Sequence, residues 1–186
     1  MAQRSLRKSK EKIISIDQKK KGMKVAVSFV AAMFLVALYV TIFRFSGQEG
    51  EESGELSHKV TKVIVDGVDH VAHKNWTDSV KESIVNVWEH PVRKMAHFSE
   101  YAAMAILVYL IWFSWIRRGW RVNILVIVWV FLSAALDEWH QSFVAMRSGN
   151  FVDVMIDTSG GCFGLLLTVT VRRIWGFLHE RKSKGK

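Results

Sequence analysis

Val25–Phe43 reads VAVSFVAAMFLVALYVTIF, nineteen residues without a charge. At 1.5 Å per residue, a helix of about 20 residues crosses the roughly 30 Å hydrocarbon core of a bilayer. This stretch is therefore long enough to span by itself. It follows a basic tail, as a secretory signal core does. However, it exceeds the roughly 7–15 residues of such a core, and no A-x-A-like cleavage site follows. The sequence predicts a retained anchor. Outward from it, Tyr101–Ile116, Val122–Leu136 and Thr158–Val171 are charge-free for 16, 15 and 14 residues. Each reaches spanning length only by taking in polar residues at one end: His97 and Glu100, then Asp137, Glu138, His140 and Gln141, then Asp153 and Asp157. Such short runs would also suit buried helices of a soluble globule. The first run and the aromatic ends (Trp112, Trp115, Trp120, Trp175) argue against that, because Trp and Tyr mark bilayer interfaces.

The distribution of charge supplies a sidedness. Among 186 residues, half are hydrophobic, yet the formal net charge is +9. The two coexist because charge and apolar residues are segregated along the chain. Residues 1–24 hold nine Lys or Arg, Arg117–Arg121 holds three and residues 172–186 hold six, which makes 18 of the 26. By the positive-inside rule, both termini and the 117–121 turn are expected in the cytoplasm. The expected fold class is an all-α membrane protein with four transmembrane helices, N-in/C-in, in the cytoplasmic membrane. Its expected parts are a basic tail (1–24), a membrane domain (25–172) and a second basic tail (173–186). Spans are placed at about 24–44, 95–116, 122–144 and 151–171, with an external loop over 45–94. A single cysteine excludes an internal disulfide and any CxxC zinc site. The basic N-terminal tail lacks interleaved aromatics, so attraction to anionic lipid explains it better than nucleic acid does.

Within the external segment, Ser46–Ser57 (SGQEGEESGELS) reads as a flexible linker. Val60, Val63, Ile64, Val68 and Val71 then recur at near-helical spacing. So do Val80, Ile84, Val87 and Trp88 behind Ser79-x-x-Glu82, a capping-box pattern. One or two amphipathic helices are expected in 46–94, the second ending at Pro91, the only proline.

The sidedness also puts three polar sets at one depth, just beneath the external surface. Each set has a face. At 100° per residue, Asp153, Asp157, Gly160 and Gly164 fall within about 60° of one another. His97 shares a stripe with Glu100, Tyr101 and Met104, and Asp137 shares one with His140 and Gln141. These faces should point into the bundle, since a carboxylate facing lipid is costly. Gly160-x-x-x-Gly164 is a small-residue seam, suited to contacts within or between chains. Charge does not balance. Glu100, Asp137, Glu138, Asp153 and Asp157 face Arg93, Lys94 and Arg147, leaving two negatives for the histidines, a proton or a cation. Three readings stay open: a locking polar network, a site for a charged headgroup or ion, and a hydrolase or transferase centre. If a divalent cation is the cofactor, its candidate ligands are Glu100, Asp137, Glu138, His140 and Asp157. No HExxH or nucleophile-elbow motif supports a catalytic assignment, although Ser99 or Ser142 completes a Ser/His/Asp set on paper. Cys162, beside two glycines, is expected to be a small packing residue.

Three ordered motifs run through these residues. They are Arg93-Lys-Met-Ala-His97-Phe-Ser-Glu100-Tyr101, Leu136-Asp137-Glu-Trp-His140-Gln141-Ser-Phe, and Arg147-Ser-Gly-Asn-Phe-Val-Asp153-Val-Met-Ile-Asp157-Thr-Ser-Gly160. In order and spacing they resemble the VanZ family of bacterial membrane proteins, over roughly residues 30–172. One departure is Val144-Ala-Met146, where relatives commonly carry a Pro-Gly turn. The resemblance implies a candidate cluster of His97, Glu100, Tyr101, Asp137, Glu138, His140, Gln141, Arg147, Asp153 and Asp157. The family's namesake is associated with low-level resistance to teicoplanin, a lipid-tailed glycopeptide acting on Gram-positive bacteria. The expected partners are therefore membrane lipids, a lipid-linked envelope precursor or a lipoglycopeptide. The runner-up is a membrane-embedded, metal-dependent hydrolase or transferase acting on a lipid.

Overall fold

The computed structural model describes residues 2–48, 50–113, 115–116 and 119–184. Side chains of 1–13, of 182–186 and of Arg117 and Arg118, which carry part of the expected cytoplasmic charge, lie outside the described residues. The described residues form five helices: α1 (Ala2–Ser46), α2 (Gly50–Ala72), α3 (Asp78–Phe113), α4 (Gly119–Gln141) and α5 (Phe151–Lys184). No strand occurs among the described residues. Four of the helices, α1, α3, α4 and α5, are long and apolar enough to cross a membrane. The protein is an all-α, multi-pass membrane protein.

The spans alternate in direction. Ser28 near the start of the α1 apolar run donates to the Ile111 carbonyl at 3.1 Å and accepts from Trp115 Nε1 at 3.0 Å. At the other end of α1, the Ser46 carbonyl accepts from Arg147, beyond α4. Between them Tyr39 bonds Ser133 and Trp129 of α4. The interior is built by one stripe per helix. On α4 it is Val122, Val126, Val130 and Ala134, each four residues on from the last, and on α3 it is Tyr101, Met104, Ala105, Val108 and Tyr109. The outward faces stay apolar and exposed, as Phe29, Met33, Phe34, Val36 and Val40 do on α1. That surface suits hydrocarbon and would be unstable in water.

α5 lies against α3 along the small-residue seam. A Cβ on Gly160 would run into the Phe98 carbonyl, and one on Gly164 into the Ala102 carbonyl, both well inside contact distance. The seam thus serves contacts within the chain. Cys162 corrects its expectation: two residues along from Gly160 it points to the opposite side and is exposed. The close approach at the seam is made by the glycines without it.

The 46–94 segment departs from the sequence reading in four ways. α2 begins at Gly50, so most of the expected linker is helical. Its acidic first turn (Glu51, Glu52) favours the helix N-terminus. Its buried stripe is Ser53, Ser57, Thr61 and Val65, with a spacing of four, and not the valines, which stay exposed. Ser57 and Thr61 satisfy their hydroxyls on the carbonyls of Ser53 and Ser57, at 2.7 Å each. Their small size lets α2 come close to α3. Pro91 does not end a helix, because α3 runs through it to Phe113. Proline removes one backbone hydrogen bond, and here its ring lies on an exposed face of the continuous helix. Finally, α3 starts at Asp78, and Ser79 sits inside the first turn, accepting at its carbonyl from Ser83 Oγ at 2.9 Å. The Ser79/Glu82 capping box is therefore displaced by the earlier start.

The α2–α3 turn is tied by Asp69. Its carboxylate accepts from the Trp76 amide at 3.0 Å and pairs with Lys81 Nζ at 2.9 Å, while Asp66 takes the same ammonium at 3.0 Å. His73 and Asn75 hold positive φ (50° and 52°) within that turn. Lys81, and next the Trp76 amide, hold the Asp69 carboxyl below its ordinary 3.8. A carboxyl with a depressed folded pKa stabilises above its unfolded value and loses that contribution as pH falls through the folded one. The tie should therefore be complete at neutral pH and loosen only below about pH 4. At neutral pH, Asp69→Ala should speed limited proteolysis within 73–77 relative to wild type.

The seam generates a paired prediction. Gly160→Ala should destabilise by about 1–3 kcal/mol through overpacking against the α3 backbone. Gly67→Ala, in a helical position with nothing within 4 Å of the added Cβ, should stabilise by about 0.5–1 kcal/mol. Thermal unfolding in detergent separates the two by sign.

Candidate functional site

The seam sets the site. One turn before Gly160, Asp157 is carried into the bundle, and one further turn puts Asp153 at its mouth. Asp157 is 2% exposed and lies against α3 and α4. Asp153 is half-buried and forms an ion pair with Lys94 of α3. On α4, Asp137 and Gln141 are one turn apart and bonded, Gln141 Nε2 donating to Asp137 Oδ2 at 3.0 Å. Glu138 is turned toward the 142–150 loop, where its carboxylate accepts the Asn150 amide at 2.9 Å. His97 Nδ1 is closed off from solvent with no hydrogen-bond partner, and lies 3.7 Å from Glu100 Oε2.

These groups bound three adjoining cavities. The first, about 220 Å³, is polar and is lined by His97, Glu138, Gln141, Arg147, Asp153 and Asp157, with Arg93, Lys94 and His90 completing its rim. The second, about 150 Å³, is an apolar slot formed by Phe45, Leu56, Val60, Val92 and Ala96, with Glu100 at its side. Arg93, His97 and Arg147 line both. The third, about 300 Å³, lies between α1 and α4 and takes in Tyr101, Asp137 and His140. The ten candidate residues thus gather at one end of the bundle without sharing one chamber. His140 faces α1, its ring stacked on Phe43 with centroids 4.5 Å apart, and its Nδ1 is buried without a partner. Tyr101 is fully buried. One ligand atom each from His97, Asp137 and Asp157 lies within 4.8 Å of the other two. Ser99 and Ser142 donate to the Met95 and Trp139 carbonyls of their own helix, so neither joins a Ser/His/Asp set.

Arg147 is the residue that closes this end. It stands just after Met146, whose φ of 57° turns the chain back after Val144 and Ala145. The Gly50 amide bonds the Ala145 carbonyl at 3.2 Å, which docks that turn on the start of α2. Arg147 Nη1 donates to the Ser46 carbonyl at 3.2 Å and Nη2 to Ser53 Oγ at 2.5 Å, joining α1, α2 and the α4–α5 loop. Burial lowers the Arg147 pKa, Arg93 adds to that, and Asp137 and Glu138 oppose it. The guanidinium remains charged throughout. Among the described residues it has no carboxylate within ion-pair distance, whereas Arg93 pairs with Glu89 at 2.8 Å and Lys94 with Asp153.

Residues 30–172 match the family model described as VanZ/LLP1. The chain belongs to the VanZ family. No curated relative and no solved structure matches it. The matched stretch of this VanZ-family chain begins within α1 and ends at Arg172, whose guanidinium caps the opposite end of the bundle by bonding Tyr109 Oη at 2.7 Å and lying over Phe113.

Sequence reasoning missed Ser53 and Ser57 as site residues because they sat in the expected linker. The Ser53-x-x-x-Ser57-x-x-x-Thr61-x-x-x-Val65 period carried the signal. Arg93 donates to Ser57 Oγ at 3.1 and 2.9 Å, so this stripe also orients an arginine of the cavity wall. Arg147→Lys keeps the charge but loses the fork that reaches Ser46 and Ser53 together. It should lower thermal stability in detergent by about 1–3 kcal/mol.

Proposed function

We propose that this VanZ-family protein binds an amphipathic envelope lipid, or the lipid-tailed portion of a teicoplanin-like glycopeptide, at the outer face of the cytoplasmic membrane. The observation that carries the reading is the pairing of the first two cavities. A polar chamber with an arginine lacking a carboxylate partner adjoins an apolar slot across a shared wall of Arg93, His97 and Arg147. An amphiphile has the same two halves. Arg147 presents a planar donor fork suited to a phosphate or carboxylate headgroup, and Leu56, Val60 and Val92 offer a surface for methylenes. Neither cavity alone reaches the roughly 300 Å³ of a usual small-molecule pocket, so each takes only a fragment of the ligand. The positive-inside rule supports the outward assignment, since the basic flanks lie at the other ends of the spans.

The role that follows is envelope maintenance or low-level protection against lipid-tailed glycopeptides. A second reading has its own support. The convergence of His97, Asp137 and Asp157 suits a metal-dependent hydrolase or transferase acting on the same lipid. Turnover of a labelled lipid in detergent distinguishes it from binding, which would only stabilise the protein by RT ln(1 + [L]/Kd).

The test compares teicoplanin with vancomycin in a Gram-positive host lacking its own homologue. Empty vector, wild type, Glu100→Gln, Asp137→Asn, Asp157→Asn and Arg147→Gln are compared at matched membrane levels. Wild type should raise the teicoplanin inhibitory concentration selectively, and the variants should not. Equal protection by all variants would make the cluster scaffolding. Absence of protection by wild type would remove the drug-directed reading.

A further inference from the structure

The polar end contains two carboxylates whose burial its basic residues do not explain. Lys94 is taken by Asp153 and Arg93 by Glu89. Arg147 donates to Ser46 and Ser53 and has no carboxylate within ion-pair distance among the described residues. Asp137 is 8% exposed and has Gln141 as its side-chain partner, while Asp157 is 2% exposed and has neither a hydrogen-bond nor an ion-pair partner among the described residues. Beside them His97 Nδ1 is sealed from solvent and unbonded. Buried carboxylates without a counter-charge are strongly destabilising, and a buried ring nitrogen without a partner adds to the cost.

One arrangement supplies both carboxylates with a counter-charge and engages the His97 ring. His97 comes from α3, Asp137 from α4 and Asp157 from α5, each offering one ligand atom within 4.8 Å of the others. We propose that His97, Asp137 and Asp157 hold a divalent transition-metal ion, Zn²⁺ or Mn²⁺, at the wall between the polar chamber and the α1–α4 cavity. One imidazole with two carboxylates suits these ions better than Mg²⁺ or Ca²⁺, which prefer oxygen alone, and no thiolate is at hand because Cys162 faces outward. Ligand atoms on one ion at about 2.1 Å stand about 3.4 Å apart in a tetrahedron. On binding, the ligand atoms, now within 4.8 Å of one another, would draw together to that separation. Three protein ligands leave a coordination position for water or a ligand oxygen, on the side where His97 and Asp157 line the polar chamber. Gln141, bonded to Asp137, is the orienting partner behind the first ligands. The site differs from the set suggested by the sequence. His140 stacks on Phe43 and Glu138 holds the Asn150 amide, so neither belongs to it. It stands apart from the lipid reading, since the ion can bind with no lipid present.

The full chain, purified in detergent and stripped with a chelator, is titrated with Zn²⁺ by calorimetry and with Mn²⁺ by electron paramagnetic resonance. Wild type should bind one ion per chain, and the Mn²⁺ signal should carry a nitrogen coupling from His97. Asp157→Asn and His97→Gln should abolish stoichiometric binding, and Gln141→Leu should weaken it about 10-fold or more. Glu138→Gln and His140→Gln should bind as wild type. The isosteric Asp157→Asn should also melt at or above the temperature of metal-free wild type, yet gain nothing on Zn²⁺ addition. That separates a lost site from a lost fold. No binding by wild type, no nitrogen coupling, or unchanged binding in Asp157→Asn would each overturn the proposal. The first of these would leave the lipid reading standing.

Discussion

The backbones of α3 and α5 meet where Gly160 and Gly164 lie against the Phe98 and Ala102 carbonyls, with no room for a side chain between them. In a membrane, where hydrophobicity gives helices little reason to associate, such close backbone packing supplies much of the holding force. It also fixes the rotation of α5 about its own axis. With Gly160 and Gly164 turned to α3, Asp157 must enter the bundle and Asp153 must meet Lys94. The ionisable groups are therefore placed by a contact that contains no polar side chain. Their burial is a consequence of the seam, and the seam has to be strong enough to bear it.

The depth of the cluster is as constrained as its facing. Charged groups at the bilayer centre are expensive, and here they lie in the end turns of three spans, next to a loop that supplies amides and a guanidinium. The α4 stripe shows the transition within one helix. Val122, Val126, Val130 and Ala134 are followed on the same buried face by Asp137, Glu138 and Gln141. A face that continues inward-pointing while changing from apolar to acidic needs polar neighbours arriving at that depth from other helices. His97 and Asp157 do so from α3 and α5.

The parts legible in the sequence were those governed by a strong single period or by a long run. Charge-free stretches located the four apolar helices, and the 100° arithmetic put Asp157, Gly160 and Gly164 on one buried face, as they are. The same arithmetic put His140 beside Asp137, and both line the α1–α4 cavity, with the His140 ring stacked on Phe43. The 46–94 segment was misread through its composition. Its conspicuous valines suggested the buried face, whereas close packing of α2 on α3 selects the smallest residues, Ser53, Ser57 and Thr61. Gly and Ser in that stretch looked like linker composition, and only their spacing of four distinguishes a packing stripe from a loop. Pro91 was overweighted because its local cost was visible in the sequence, whereas the length of the helix that runs through it was not.

This arrangement makes the hairpin part of the site. Ser53 holds Arg147, Ser57 holds Arg93, and Leu56 and Val60 from the same helix form the apolar slot. One face of α2 thus orients both arginines of the shared wall, and the adjoining face lines the slot beside them. The Asp69–Lys81 tie joins α2 to α3 at the far end of this helix pair. Each guanidinium also keeps a partner outside α2, Ser46 for Arg147 and Glu89 for Arg93. The polar chamber and the apolar slot therefore share one supporting helix without resting on it alone.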